Sequence, residues 1–251
     1  MVRQTTETDE LPMTVSTLLR RFERSDVTMT VYGPSEATAV VERLESQGID
    51  ATWRKLPTGH EDAFAVIRRD GVFAETIPLT ALQAFLCKPT VGSDDNGPPD
   101  SDPGRQLLHS ALANTLLASL TPAQLLATSH EFEDRAYRVG EGVLRVSFQS
   151  LSIFRSQRAR YETLASDTTL DIHVYGQDDW EPPPTTGITF HPLTDTALEQ
   201  VWLLAFDAAG DDQNKCALVA EETDDGPFRG LWTYNPQLVD EIMAAVVAVD
   251  R

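Results

Sequence analysis

The chain has 251 residues, of which 41% are hydrophobic, a share that excludes disorder throughout and suffices for one large domain or two small ones. Its 39 acidic and 20 basic residues give a formal net charge of −19, which argues against non-specific binding to nucleic acid or to anionic membranes. Two cysteines cannot form a disulfide scaffold, and no apolar run reaches the roughly 18 residues of a membrane span. The first residues lack the apolar region of a secretory signal. We therefore expect a cytoplasmic protein.

The basic residues are poor in lysine. Only Lys55, Lys88 and Lys215 are lysines, and the rest are arginines. Short carboxylates hold water and cations at a protein surface, so this composition is typical of a protein from a very salty cytoplasm. We therefore expect a halophilic protein, with an acidic mesophilic protein as the alternative.

The first part of the chain predicts a small α/β domain over residues 13–88, after a polar tail at 1–12 that we expect to be disordered. Apolar spacing and turn residues define its elements. They are a helix from Val15, a strand at 27–32, a helix capped by Ser35, a strand at 49–56, a hairpin turning at Asp70-Gly71 and a helix at 79–86.

Residues 89–104 predict an acidic linker. They contain four Pro, three Gly and four Asp, with Val91 as the single aliphatic residue. Such a segment cannot bury enough apolar surface to offset the entropy of ordering it. We therefore expect a second domain to begin at about residue 105.

The second part, residues 105–251, predicts two helices followed by further strands and helices. Apolar spacing favours a helix over 107–117, and Thr121-Pro122-Ala123-Gln124 is a capping-box pattern that begins another, ending at Gly140. The remaining elements are a strand at 143–148, a helix at 152–164, strands at 170–175, 188–190, 201–206, 217–220 and 230–234, and a final helix capped by Asn235-Pro236.

Together these elements predict an α/β (α+β) fold of mixed sheets flanked by helices, in two units. The segment Leu18–Gly33 can be aligned with Arg160–Gly176, since both run from a basic helix through Ser-Asp to a strand ending Val-Tyr-Gly. This predicts that the first unit is a shortened copy of the second, with general α/β similarity as the alternative.

Few residues suggest catalysis or metal binding. No nucleotide-binding or hydrolase motif occurs in the sequence. His130, Glu131 and Asp134 could share a helix face as metal ligands, but a solvated acidic helix face is the favoured interpretation. Cys87 is better interpreted as a buried thiol than as a nucleophile. We therefore expect no metal site, no catalytic residues and no enzyme.

One segment combines aromatic residues with concentrated positive charge. Phe148, Phe154 and Tyr161 are interleaved with Arg155 and Arg158, which could clamp an anion or carboxylate while the rings stack on a ligand. The helix start after Ser150 would add backbone N–H groups that favour an anion. We predict a ligand- or partner-binding site here. The alternative is that the aromatics are core and the arginines pair with local acids.

An ordered set of residues in the second part resembles a known family. The set comprises Glu131, Arg135, Phe148, Phe154, Arg160, Tyr161, Leu164, Ala165, Tyr175-Gly176, Trp202, Ala217–Glu221 and Arg229–Pro236. In this order it resembles the DICT sensory domain, named for diguanylate cyclases and two-component systems, over Pro122–Val249. Residues 14–87 resemble the amino-terminal region of halophile members.

The resemblance implies a signal-input domain of the kind found beside GAF domains, kinases or cyclases. Because no ligand of the family is established, the resemblance identifies no site residues and leaves any cofactor unknown. We expect a non-enzymatic sensory protein that signals by contact with a partner, such as a histidine kinase or regulator, and that could bind a small molecule. The alternatives are a transcription regulator acting through a helix pair at 105–139, which carries few basic residues for DNA, and an unrecognised small-molecule enzyme.

Overall fold

The computed structural model describes residues 15–22, 27–34, 37–56, 63–87, 108–194, 198, 200–224 and 226–249. The predicted tail at 1–12 and the predicted linker at 89–104 lie outside these residues. Two mixed sheets flanked by helices confirm the predicted fold class. Within the described ranges, no helix combines the length and the apolar composition that a bilayer span requires.

The first sheet has four strands in the order β2-β1-β3-β4, in which β1 and β2 are parallel and the other pairs antiparallel. Asp70 and Gly71 have φ angles of 51° and 75°, the positive values that a tight hairpin turn requires, so the predicted hairpin is confirmed. The expected cap Ser35 lies outside the described residues. The elements are α1 Val15–Arg20, β1 Val27–Gly33, α2 Thr38–Ser46, β2 Asp50–Lys55, β3 Phe64–Arg69, β4 Val72–Pro78 and α3 Leu79–Cys87.

The second sheet has seven strands in the order β5-β11-β10-β9-β6-β7-β8, with β6, β7 and β8 parallel and the other pairs antiparallel. Its strands are β5 Leu117–Leu120, β6 Glu141–Ser150, β7 Thr169–Gln177, β8 Ile188–Leu193, β9 Val201–Phe206, β10 Cys216–Glu222 and β11 Phe228–Thr233. Its helices are α4 Pro122–Val139, α5 Leu151–Phe154, α6 Arg158–Asp167 and α7 Pro236–Val249. The predicted capping box of Thr121 and Gln124 begins α4, and Gly140 ends it in the left-handed conformation.

Both faces of the second sheet are buried. Along β9, Leu204 and Phe206 belong to one apolar cluster, whereas Leu203 and Ala205 belong to the other. Helices α4 and α6 cover the first cluster, and α1 and α7 cover the second. Helix α1 therefore packs on the second sheet although it precedes the first sheet in sequence.

Buried contacts join the two units. Phe85 of α3 packs edge-on against Trp232 of β11, with ring centroids 6.0 Å apart. The Nη2 atom of Arg69 donates a hydrogen bond to the backbone carbonyl of Ala113 at 2.7 Å. One apolar cluster runs from the first sheet into the second unit. The division into domains at 13–88 and 105–251 stays a prediction.

The helix pair predicted over 105–139 is wrong in its first half. The chain forms a single helical turn at 108–111, Asn114 then adopts a φ of 60°, and the following apolar residues form β5. A residue in the left-handed conformation interrupts a right-handed helix. Of the apolar residues that favoured a helix, Leu108 and Ala111 lie in this turn, whereas Leu117 begins an edge strand paired with β11. Among the described residues of 108–139, α4 is therefore preceded by a helical turn and a strand instead of a second long helix.

The two sheets share a topological pattern. Strand β1 lies between parallel β2 and antiparallel β3, and β6 lies between parallel β7 and antiparallel β9. Strand β7 instead has parallel neighbours on both sides. The first unit thus follows a shortened version of the second unit's path, in which β1 corresponds to β6. The sequence alignment instead matches β1 to β7, so the alignment and the sheet topology give different correspondences.

Candidate functional site

A cavity of about 330 Å³ lies where α4, β6, the α5–α6 turn and β9 meet. Its walls are mostly apolar and aromatic, with a few polar groups among them. The lining residues include Ala123, Leu126, Ser147, Phe148, Ile153, Ser156, Gln157 and Trp202. This volume is at the lower end of the range for small-molecule sites.

The wall formed by the end of β6 is shaped by a break in strand pairing and by a glycine. The register between β6 and β7 shifts between Ser147 and Ser150, where the chain leaves the sheet and enters α5. It passes so close to Gly176 of β7 that a Cβ atom there would lie 2.6 Å from the carbonyl oxygen of Phe148. Only glycine allows this approach, because side-chain carbons do not come so near to backbone atoms.

The start of α5 is already occupied by a carboxylate of the chain itself. Asp179 accepts hydrogen bonds from the backbone N–H of Ser152, at 2.9 Å, and from the Ser152 hydroxyl. These bonds hold the pKa of Asp179 below its usual value, because they favour the ionised carboxylate. The backbone N–H group that was expected to favour an external anion is thus engaged internally.

A smaller cavity of about 20 Å³ lies against the same residues and reaches deeper, to Ser129, Glu133 and Tyr161. Five residues line both cavities: Leu126, Ser147, Phe148, Gln157 and Trp202. The two therefore form an outer pocket and an inner cavity of one site.

An ionic network closes the inner cavity from below. The Glu133 carboxylate, whose side chain is only 3% exposed, accepts a hydrogen bond from the Tyr161 hydroxyl at 2.6 Å and pairs with Arg160. Arg160 also pairs with Asp134. Burial alone would lower the pKa of Arg160, but the two carboxylates outweigh it and raise that pKa. Burial, and then the charge of Glu133, raises the pKa of Tyr161 well above its usual value, so its hydroxyl stays a donor.

The three predicted aromatic residues lie together. The rings of Phe148, Phe154 and Tyr161 contact one another edge-on, with centroids 5.4 to 5.9 Å apart. Phe154 and Tyr161 are each only 1% exposed, so both belong to the core. Phe148 lines both cavities, and Tyr161 lines the inner one.

The two predicted arginines do not form a common clamp. The helix expected over 152–164 is interrupted at 155–157, so Arg155 and Arg158 do not share one helix. Arg155 lies over the ring of Trp180, 4.6 Å from its centroid, and Arg158 pairs with Glu162 at 2.6 Å. Among the described residues that line the pocket, neither arginine appears.

Sequence reasoning missed Trp202, Ser129 and Glu133 as site residues. The indole N–H of Trp202 donates to the hydroxyl of Ser129 at 2.9 Å, which ties β9 to α4 across the inner cavity. Ser129 and Glu133 are one helical turn apart on the buried face of α4. A polar pair at this spacing, on the same face as Leu125 and Phe132, was the signal that could have identified them.

The other candidate residues have structural roles. His130 contacts the Gln157 side chain at 3.3 Å, and Asp134 pairs with Arg160. Within the described ranges, no three His, Cys, Asp or Glu side chains are grouped as metal ligands would be. The side chain of Cys87 lies outside the described residues. Burial raises the pKa of the Cys216 thiol to about 12, so it stays protonated.

Comparisons with known proteins find a similar family for one part of the chain. No curated protein matches the sequence. Among solved structures, a polyphosphate kinase from Porphyromonas gingivalis aligns at a TM-score of 0.36 and 13% identity, a likeness too weak to carry an argument. The alignment covers 92% of this chain and 47% of the kinase chain, so this chain spans about half of the kinase's length. Residues 105–223 match the model of DICT, a sensory domain in diguanylate cyclases and two-component systems. The segment that builds the pocket is thus similar to the DICT sensory domain, as the sequence resemblance predicted.

Proposed function

We propose that this chain is a non-enzymatic sensory protein that receives its signal in the pocket between α4, β6, the α5–α6 turn and β9. The observation that carries the proposal is the coincidence of two findings. The residues known to line the pocket run from Pro122 to Trp202, and all of them fall within the segment that is similar to a sensory domain.

The chemistry of the pocket favours binding over catalysis. Glu133, which lines the inner cavity, pairs with Arg160, and burial raises the pKa of the nearby Tyr161 phenol well above its usual value. The Tyr161 hydroxyl is therefore not suited to exchange a proton near neutral pH. An apolar cavity with a few fixed hydrogen-bonding groups is typical of ligand recognition.

We propose that the output is contact with a signalling protein in the cytoplasm, such as a histidine kinase or regulator. A route for the signal begins at the first turn of α4. Pro122 and Ala123 line the pocket, and the adjacent Gln124 bonds to the first unit through the Phe85 carbonyl. A ligand that moves this turn would move the contact between the units, and with it the surface that a partner reads.

Two matched serines allow a direct test. Ser156 lines the pocket and Ser166 does not, yet both are exposed and both donate to the carbonyl of the residue three positions earlier, Ile153 and Thr163 respectively. Ser156→Phe should block the pocket mouth, whereas Ser166→Phe should alter only the surface. The wild-type chain and each variant would serve as bait in extracts of the native cells at native salt.

We expect wild type and Ser166→Phe to capture the same kinase, cyclase or response regulator. Capture by Ser156→Phe should change several-fold. Equal capture by all three baits would contradict the pocket as signal input, and captures that lack any signalling protein would contradict the sensory role.

We further infer that the charge of −19 and the scarcity of lysine adapt the protein to high salt. Repulsion between the carboxylates destabilises the fold at low ionic strength and is screened in molar salt, where the Debye length is ~3 Å. Circular dichroism should detect a higher unfolding midpoint in molar KCl than in dilute buffer. Equal midpoints would rule out the halophilic interpretation.

A further inference from the structure

We infer that the outer pocket and the inner cavity together bind an uncharged aromatic molecule that carries one small hydroxyl-type group. The ring occupies the outer pocket and the hydroxyl enters the inner cavity. This inference deepens the proposed function, because it depends on the same pocket and names the chemical class of its ligand.

The outer pocket is shaped for a ring. Phe148 and Trp202 contribute aromatic surface from the adjacent strands β6 and β9, and Leu126 and Ile153 add aliphatic surface from the helices. Ile153 lines the pocket and is 47% exposed, so part of its apolar surface is open to a ligand. Aromatic pairs prefer edge-on or offset contacts, which neighbouring rings can offer to a flat ligand.

The inner cavity is shaped for a single polar group. Its volume of about 20 Å³ matches one water-sized probe, and a hydroxyl has similar dimensions. Its lining includes Ser129, Ser147 and Gln157, which carry hydrogen-bonding side chains, and the Ser147 hydroxyl donates to the Val201 carbonyl at 3.4 Å. The Ser129 oxygen accepts from the Trp202 indole, which leaves the serine's own hydrogen to donate to a ligand.

The electrostatics of the site favour a neutral ligand. Glu133, at the base of the inner cavity, is already satisfied by Tyr161 and Arg160, so a ligand cation would gain little there. An anion would face the same carboxylate. Arg155 and Arg158, which could have balanced an anion, engage Trp180 and Glu162. Burying a charge without a partner is costly, so an uncharged molecule fits best.

Three probes with the same ring test the inference by calorimetry on the full chain at native salt: 2-naphthol, naphthalene and 2-naphthoate. We expect 2-naphthol to bind about tenfold more tightly than naphthalene, the effect of one hydrogen bond. The anionic naphthoate should show no saturable binding. Ser156→Phe should abolish 2-naphthol binding, and the matched Ser166→Phe should retain it.

The inner cavity has its own test. Ser129→Ala, which removes the hydroxyl that we expect to donate to the ligand, should reduce 2-naphthol binding to the level of naphthalene. The indole N–H signals of the protein provide a second measurement, independent of how well a variant folds. The Trp202 signal should shift on titration with 2-naphthol, while that of Trp232, which is bonded to the His109 carbonyl in the core, should not.

Equal affinity for naphthol and naphthalene would overturn the inference, and so would undiminished binding by Ser156→Phe or a Trp202 signal that does not move. These failures differ from failure of the proposed function. If Ser156→Phe changes capture of a signalling protein but no probe binds, the ligand class is wrong and the sensory pocket stands. If the probes bind as expected but capture is unaffected, the site stands and the sensory proposal is wrong.

Discussion

The side-chain amide of Gln124 donates a hydrogen bond to the backbone carbonyl of Phe85 at 3.2 Å, and so connects the start of α4 to the end of α3. The other end of the same amide accepts from the backbone N–H of Thr121 at 3.0 Å and from the Gln47 side chain at 3.3 Å. One buried side chain therefore both begins a helix and holds two units together.

Replacing Gln124 should reduce stability more than an ordinary amide substitution does. Gln124→Leu removes the capping box and leaves buried polar groups without this partner, so we expect the free energy of unfolding to fall by about 1–3 kcal/mol. The control is Gln149→Leu, which removes an exposed bond to Glu222 and should cost no more than ~0.5 kcal/mol. Urea denaturation measures both. Equal losses would show that Gln124 has no special role.

A fragment comprising residues 105–251 should fold but be less stable than the full chain. It keeps the whole second sheet and loses the contacts made by Phe85 and by Leu18 of α1. Trp232, which is 1% exposed in the full chain, should become more accessible once Phe85 is removed, and its fluorescence should shift to the red. A fragment that is unfolded would contradict the two-domain proposal, and one as stable as the full chain would show that the contacts contribute nothing.

Arg160 and Arg158 lie on the same helix, but replacing each by glutamine should change the stability of the protein by different amounts. Arg160→Gln leaves the buried Glu133 without its counter-charge, a kind of change that costs about 3 kcal/mol or more. Arg158→Gln removes an exposed pair with Glu162, which contributes at most ~1 kcal/mol. Thermal or urea unfolding distinguishes the two. Similar small losses for both would mean that the network around Glu133 is not stabilising.

His173 should make the protein less stable in acid. Burial, together with the charges of Arg145 and His191, lowers its pKa below the usual value of 6.5 despite a hydrogen bond with Asp171. The unfolded chain then binds a proton more readily than the folded one. The contribution of His173 is therefore complete above pH 6.5 and is lost as the pH falls from there through the lower folded pKa.

The measurement compares urea unfolding of wild type and His173→Gln between pH 8 and pH 5. Other groups also titrate in this range, so the informative quantity is the difference between the two proteins. Wild type should lose more stability than the variant on acidification. An identical dependence on pH would show that the folded environment does not disfavour the charged imidazole.

Local chemistry in the sequence predicted many elements well. The hairpin at Asp70-Gly71 and the capping box at Thr121 depend on neighbouring residues alone, and both were confirmed. Strand β5 was missed because apolar residues buried against a sheet can have the spacing of a helix. Asn114 adopts the left-handed conformation between them, but a single Asn is only a weak signal of a helix break.

The site could not be predicted from local patterns, because its parts are distant in sequence. Glu133 pairs with Arg160, 27 residues later, and Ser129 bonds to Trp202, 73 residues later. The aromatic segment around Phe148 was recognised from its composition. The sequence did not indicate that its arginines would lie outside the pocket, because that depends on the break between α5 and α6.

The packing of α1 on the second sheet constrains when the protein can finish folding on the ribosome. Arg21, just after α1, pairs with Glu241 of α7, 220 residues further along the chain. Domains usually fold in the order in which they emerge during synthesis, but α1 has its docking surface on elements that are made much later than α1 itself. Leu18 therefore stays uncovered by its native partners until α7 has left the exit tunnel.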